Sequence, residues 1–278
     1  MGAEEVKAPL EIVPGVARAL SPLVRRIVAS DAGPLTGPGS NSYLVGIDEI
    51  AVVDPGPADD GHLDALAGCG GDRVAWIVLT GEPDPAASGA AGLRERTGAP
   101  VLGHPDIRSV DIDEPLPDGR RLDGTEFRLT AVHTPGRSPT EVSLVLEEEH
   151  MLFSGRSVVE GSVMLLAGPD ADPATYLESL GRLRGLRLRS IAPGHGLLID
   201  DVAEALDRHQ ALFEEREALL VEALGEDDRT LSELTEVVFG SDDDAAHDAA
   251  RATVVAHLSK LRDEGRAKDV GDDAWSAA

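Results

Sequence analysis

Trp76-Ile77-Val78-Leu79-Thr80-Gly81-Glu82-Pro83-Asp84-Pro85-Ala86-Ala87 is the stretch whose reading decides the fold. Trp76–Thr80 is a short apolar run rich in strand-forming residues, and it reads as a β-strand. A helix is expected next, over Ala86–Arg96, and then a strand at Val101–Gly103. Upstream, residues 10–56 alternate apolar runs with turns: Leu10–Val13, Val24–Val28, Ser42–Val45 and Ile50–Val53. This is the pattern of a β-meander, with Gly37-Pro38-Gly39 supplying one turn. A short helix near His62–Leu66 links the meander to the strand at Trp76.

Downstream, a second β-rich block holds Phe127–Val132, Val142–Leu146 and Met151–Phe153. A helix over Pro173–Leu183 follows, and Ile191-Ala192-Pro193-Gly194-His195-Gly196 closes the block. Two β-rich halves that each carry helices predict a four-layer αβ/βα sandwich over roughly residues 1–200. From residue 201 the character changes. Val202–Leu224 has apolar residues at helical spacing, and Thr230-Leu231-Ser232-Glu233-Leu234 is a capped helix start. A helix over Ala245–Glu264 and a ribbon begun by Gly265-Arg266-Ala267-Lys268-Asp269-Val270 complete a winged helix over 201–278.

Composition narrows the function classes. The 278 residues hold 42% hydrophobic side chains, enough for one substantial domain and a small one. There is no run of about 18 apolar residues, so no membrane span is expected. The charged stretch Met1–Pro9 does not read as a secretory signal. The lone Cys69 has no disulfide partner in the chain, so a reducing, cytoplasmic setting is expected. Acidic residues outnumber basic ones 51 to 25, for a formal charge of −26. That surface opposes phosphate backbones and anionic membranes. It fits equally adaptation to high salt and a GC-rich genome.

Five motifs in order carry a resemblance. They are Gly33-Pro34-Leu35-Thr36-Gly37-Pro38-Gly39-Ser40-Asn41-Ser42-Tyr43-Leu44-Val45-Gly46, Val53-Asp54-Pro55-Gly56, His133-Thr134-Pro135-Gly136-Arg137-Ser138-Pro139, Leu152-Phe153-Ser154-Gly155-Arg156 and Ala192-Pro193-Gly194-His195-Gly196. Together with the C-terminal pattern His257-Leu258, Leu261 and Gly265, the chain resembles the metallo-β-lactamase superfamily. Within it the likeness is to the glyoxalase II-like branch and the β-lactamase-like protein 2 group, which has an appended winged helix. The resemblance implies a hydrolase scaffold that binds two metal ions between its halves, through Thr-His-x-His-x-Asp-His and later ligands. Carried over by position, those ligands fall on Gly81, Pro83, Pro85, Ala86, Arg137 and Arg156, and only the last histidine stands, as His195.

Four of these residues offer no side-chain donor, and two are permanent cations. Zinc needs three or four N, O or S donors, so no metal and no other cofactor is expected. The expected protein is therefore a degenerate, metal-free pseudoenzyme whose cleft binds an anionic small molecule or a protein partner. Two arginines can hold a carboxylate or phosphate, which makes Arg137, Arg156, Glu82, Asp84 and Asn41 the candidate ligand-binding residues. In the blander arrangement, Glu82 and Asp84 fold inward and pair with Arg137 and Arg156.

An alternative is a metal-independent hydrolase or lyase acting on an anionic ester or thioester. It would use His195 or His133 as base, the arginines as oxyanion partners, and Ser88, Ser138 or Ser157 as possible nucleophiles. A third reading rebuilds a metallohydrolase from Glu82, Asp84 or His104. Residues 201–278 carry 8 Lys or Arg against 21 Asp or Glu, 8 − 21 = −13. Nucleic-acid binding through the winged helix is therefore not expected, and the module is left to pack against the sandwich, shape the substrate entrance or mediate a homodimer.

Overall fold

The computed structural model describes residues 12–83, 88–160, 165–166, 170–225, 228–240 and 247–278. Numbered in chain order, the first sheet holds β1 (Arg18–Ala19), β2 (Val24–Val28), β3 (Asn41–Val45), β4 (Ile50–Val53), β5 (Val74–Val78), β6 (Val101–Gly103) and β7 (Glu114–Pro115). These strands lie in sequence order, antiparallel as far as β4 and parallel from β4 to β7. The switch follows from the connections: hairpins join the meander strands, whereas helices α1 (Asp60–Gly70) and α2 (Ala90–Thr97) carry the chain back for the parallel ones. The strand expected over Leu10–Val13 begins outside the described residues, and residues 12 and 13 are not in a strand.

The second sheet orders β12 (Ser190–Pro193), β11 (Met151–Gly155), β10 (Val142–Leu146), β9 (Arg128–His133) and β8 (Arg121–Asp123). Alternation along each strand builds the layers. Tyr43, Val45, Ala51 and Val53 point inward against Leu129, Leu144, Met151 and Phe153 of the second sheet. Leu44, Ile50 and Val52 point outward under Leu63, Leu66 and Leu93 of α1 and α2. On the far side, Val132, Leu152 and Ile191 meet Tyr176, Leu180 and Leu183 of α3 (Pro173–Arg184) and Leu206 and Phe213 of α4 (Val202–Leu224). The layers are thus helix, sheet, sheet, helix, as the sequence predicts.

Helix α4 continues beyond the sandwich. Its Leu220 and Leu224 enter a separate core with Leu234 of α5 (Leu231–Phe239), Val254, Leu258 and Leu261 of α6 (His247–Asp263), and Trp275. A small sheet of β13 (Arg229–Thr230), β15 (Ala274–Ala277) and β14 (Ala267–Gly271) completes a winged-helix-like unit. The expected capping box is present: Thr230 Oγ1 accepts from the Glu233 backbone N–H while the Glu233 carboxylate accepts from the Thr230 N–H. His257 is fully buried, with its ring centroid 4.3 Å from that of Phe213, as a packed core histidine. Among the described residues, no helix is long and apolar enough to cross a membrane.

Candidate functional site

A cavity of about 470 Å³ opens where loops following β4, β5, β11 and β12 converge. Leu79, Val159 and Leu165 give it apolar walls; Asp54, Arg137, Arg156 and His195 also line it.

The loop after β5 is tied to the one after β4. Asp54 has φ +50°, a left-handed backbone rare outside glycine. Its carboxylate accepts from Thr80 N–H at 2.9 Å and from Thr80 Oγ1 at 2.6 Å. Burial raises the Asp54 pKa, against the pull of the Thr80 bonds and of Arg156. Thr80 in turn accepts from the Val142 N–H at 2.7 Å, joining the two sheets beneath the cavity.

The neighbouring residue, Gly81, faces a side chain that the sequence reading did not single out. A Cβ at position 81 would stand 2.8 Å from the carboxyl of Glu141. The Glu141 side chain is only 1% exposed, and it lies between the two arginines. Arg156 Nη2 is 3.3 Å from Glu141 Oε1, and Arg137 Nε is 3.8 Å from the same oxygen. Arg156 Nη2 also donates to the Glu82 carbonyl at 2.9 Å, and Arg137 Nη1 to the Leu165 carbonyl at 3.1 Å. Burial, with Arg156 adding to it, lowers the Arg137 pKa to about 10, so the group stays cationic at neutral pH.

The pairing expected of Glu82 is therefore corrected. Its carboxylate turns away and accepts from the Arg108 and Ser109 N–H groups at 3.1 and 2.7 Å. Two backbone donors in an adjacent loop outcompete the arginines for it, and only its carbonyl serves the cleft. Asp84 lies outside the described residues, as do Pro85 and Ala86. The counter-charge of the two arginines is Glu141, 59 residues after Glu82. A buried acid two residues after Ser-Pro was the one signal for it: an ionised group inside an apolar strand start needs a partner.

His195 sits in the turn after β12, paired as an isolated bridge with Ser40. Burial, then Arg156, lowers its pKa, so the imidazole is neutral. Its Nδ1 is sealed from solvent with no hydrogen-bond partner among the described residues. Three side chains clamp the turn. Asn41 Nδ2 donates to Pro193 and Gly196 carbonyls at 2.8 and 3.0 Å, Tyr43 Oη to Pro193 at 2.6 Å, and Arg26 Nη1 to Gly196 at 3.0 Å. Asn41 lines the cleft as well.

His133 is not among the lining residues. It stacks on His104 with ring centroids 4.9 Å apart, and its Nε2 donates to the Pro139 carbonyl at 2.7 Å. Ser88 reaches the cleft. Ser138 instead shares a hydrogen bond with Thr140, and Ser157 is buried beside Thr134.

The residues present do not fit the family's metal pair. Gly81 and Pro83 bring no donor, Arg137 and Arg156 repel a cation, and Glu141 is already engaged by both. Among the described residues no group of three or more His, Cys, Asp or Glu side chains is placed to hold a metal ion.

Comparison with known proteins agrees with the fold. The family model "Metallo-beta-lactamase superfamily" matches residues 35–195, and "Beta-lactamase associated winged helix domain" matches 230–275. The chain is 29% identical to a beta-lactamase-like protein 2 homolog of Caenorhabditis elegans, over 88% of this chain and 86% of that one. It is 27% identical to an atrochrysone carboxyl ACP thioesterase of Aspergillus fumigatus, over 80% and 75%. A crystal structure of a metallo-beta-lactamase family protein from Thermus thermophilus superposes with a TM-score of 0.79 at 22% identity, covering 94% of this chain and all of the other.

Proposed function

The chain belongs to the metallo-β-lactamase superfamily, and we propose that it hydrolyses an anionic ester or thioester in the family's cleft without the family's metal pair. The observation that carries this reading is the placement of Arg137 and Arg156 in one apolar-walled cavity, with the buried carboxylate of Glu141 between them. Asp54 also lines the cavity, and burial raises its pKa. The site thus presents two guanidinium groups on a protein of charge −26. Such a site concentrates anions and stabilises an oxyanion at the reacting carbonyl. Leu79, Val159 and Leu165 offer the acyl part an apolar bed. The relative named a thioesterase supports thioesters as the substrate class.

In the proposed step, water oxygen bonds to the carbonyl carbon while neutral His195 takes the water proton. Arg156 holds the oxyanion. The C–S bond then breaks, and the proton passes from His195 to the leaving sulfur. A second reading, anion binding without turnover, is favoured by one observation: Nδ1 of His195 is buried with no hydrogen-bond partner among the described residues, so no acidic side chain orients the ring as a general base.

Hydrolysis of the glutarate mono-thioester of N-acetylcysteamine, in excess chelator, tests the first reading. Turnover that survives the chelator and is lost in Arg156→Ala supports it. Absence of turnover, with a melting temperature that still rises with hexanoate, supports the second. If neither is seen, both fail.

A further inference from the structure

The cleft has one wall from outside the sandwich. Ala249, on α6 of the C-terminal unit, lines it. One turn along the same helix, Thr253 is fully buried, and its hydroxyl is used twice. Thr253 Oγ1 donates to the Ala249 carbonyl at 2.8 Å and accepts from the Leu166 backbone N–H at 3.0 Å. The residue before Leu166 supplies the carbonyl that holds Arg137 Nη1, at 3.1 Å. A continuous line of hydrogen bonds therefore runs from α6 through Leu166 and Leu165 to one of the two cleft cations.

Back-bonding by a helical threonine is common and needs no functional account; Thr235 makes the same bond to Leu231 in α5. The bond from Leu166 is different in kind, because it satisfies a backbone donor of another segment. Leu166 is itself fully buried, so without Thr253 that N–H would have no partner among the described residues. The Arg137 side chain is 27% exposed and reaches Glu141 only at 3.8 Å, which makes the Leu165 carbonyl its shorter contact. Where that carbonyl sits decides where the guanidinium points.

We propose that Thr253 is a positioning residue for Arg137, so that the winged-helix unit is a working part of the anion site in the sandwich. This rests on the anion-binding reading given above. It also gives the C-terminal unit a role that its acidity allows. A module with 8 basic against 21 acidic residues is unsuited to a phosphate backbone, but its sign is irrelevant to bracing a neighbouring backbone segment.

The test uses the full chain and two readouts. One is the NMR resonance of the Arg137 Nε–H, assigned by its loss in Arg137→Lys; the other is the calorimetric affinity for hexanoate. Thr253→Val keeps the side-chain shape and removes the acceptor. It is expected to move the Arg137 resonance and weaken hexanoate binding roughly tenfold, the scale of one unsatisfied buried donor. Thr253→Ser, which keeps the hydroxyl, restores both. Leu258→Val in the C-terminal core lowers the melting temperature and leaves both readouts as in the parent protein.

An unchanged Arg137 resonance in Thr253→Val overturns the proposal. So does an equal loss of affinity in Leu258→Val, which would reduce Thr253 to general stability. If the resonance moves while the parent protein binds no hexanoate, the positioning stands and the anion-binding reading falls.

Discussion

Replacing Glu141 by Gln isolates the charge that the cleft has built in. The substitution is nearly isosteric, so the space left by Gly81 stays filled while the negative charge goes. At 3.3 Å from Arg156 and an effective dielectric near 20, the Coulomb attraction lost is about 5 kcal/mol before solvent responds. Arg156 and Arg137 are 35% and 27% exposed, and water screens them once the carboxylate is gone. The desolvation of Glu141 itself is also relieved. A net loss of about 2 kcal/mol remains, which for a chain of this length lowers the melting temperature by about 4–8 °C.

The same substitution has the opposite effect on added anions, because two guanidinium groups then lack their internal partner. Hexanoate should bind roughly tenfold more tightly than to the parent protein, about 1.4 kcal/mol. At saturation that regains about 3–6 °C of the lost stability. Differential scanning fluorimetry across a hexanoate titration, at constant ionic strength, reads both effects at once. If Glu141→Gln melts with the parent protein in chloride buffer, Glu141 does not balance the arginines. If hexanoate stabilises the two equally, the internal carboxylate and the ligand do not compete for the same cations.

Four further outcomes follow from the same geometry. Gly81→Ala should destabilise the fold, because its Cβ would meet the carboxyl of Glu141 at 2.8 Å, and the double variant with Glu141→Ala should recover part of the loss on thermal melting. Metal content, measured by plasma mass spectrometry on untagged protein purified in zinc-replete buffer, should fall well below one equivalent; one or two equivalents would refute the account of the donor set. Burial lowers the pKa of His62, His195, His209 and His257. Each is therefore neutral in the folded chain and protonates more readily when unfolded. The stability each contributes is present above the unfolded value near 6.5 and is lost as pH falls through the folded value, at up to about 1.4 kcal/mol per pH unit each; urea melts of His195→Gln should show a shallower loss over that window. Asp54 runs the other way. Its raised pKa gives stability that is full below about 3.9 and is lost as pH rises through the folded value, so Asp54→Asn should cost more at pH 4 than at pH 7.

The fold was legible because its signals are local. Alternation in Val24–Val28 and Ile50–Val53, Gly37-Pro38-Gly39 at a turn, and Thr230 with Glu233 at a helix start each act within a few residues. The placement of His195, Arg137 and Arg156 around one cleft was legible for a different reason, since their motifs stand in the same order as those of a known scaffold. The choice of Glu82 as their partner failed because proximity along the chain was taken for proximity of charge. Glu82 directly follows Gly81, yet its carboxylate had two backbone N–H groups at Arg108 and Ser109 within reach. Glu141 immediately precedes β10, and nothing near it in sequence marks which sheet end it will face.

Gly81 and Glu141 are best understood as one exchange. Any side chain at position 81 would strike the Glu141 carboxyl. An acid at 141 is in turn sustainable inside the protein only with cations beside it, and these are Arg137 and Arg156. The four residues are thus mutually conditional: glycine gives room, the acid takes it, and the arginines neutralise the acid. Restoring a histidine at 81 alone would therefore rebuild no metal site. It would expel Glu141 and leave the half-buried Arg137 and Arg156 without their shared carboxylate, so any change at 81 has to be matched at 141 and at the two arginines.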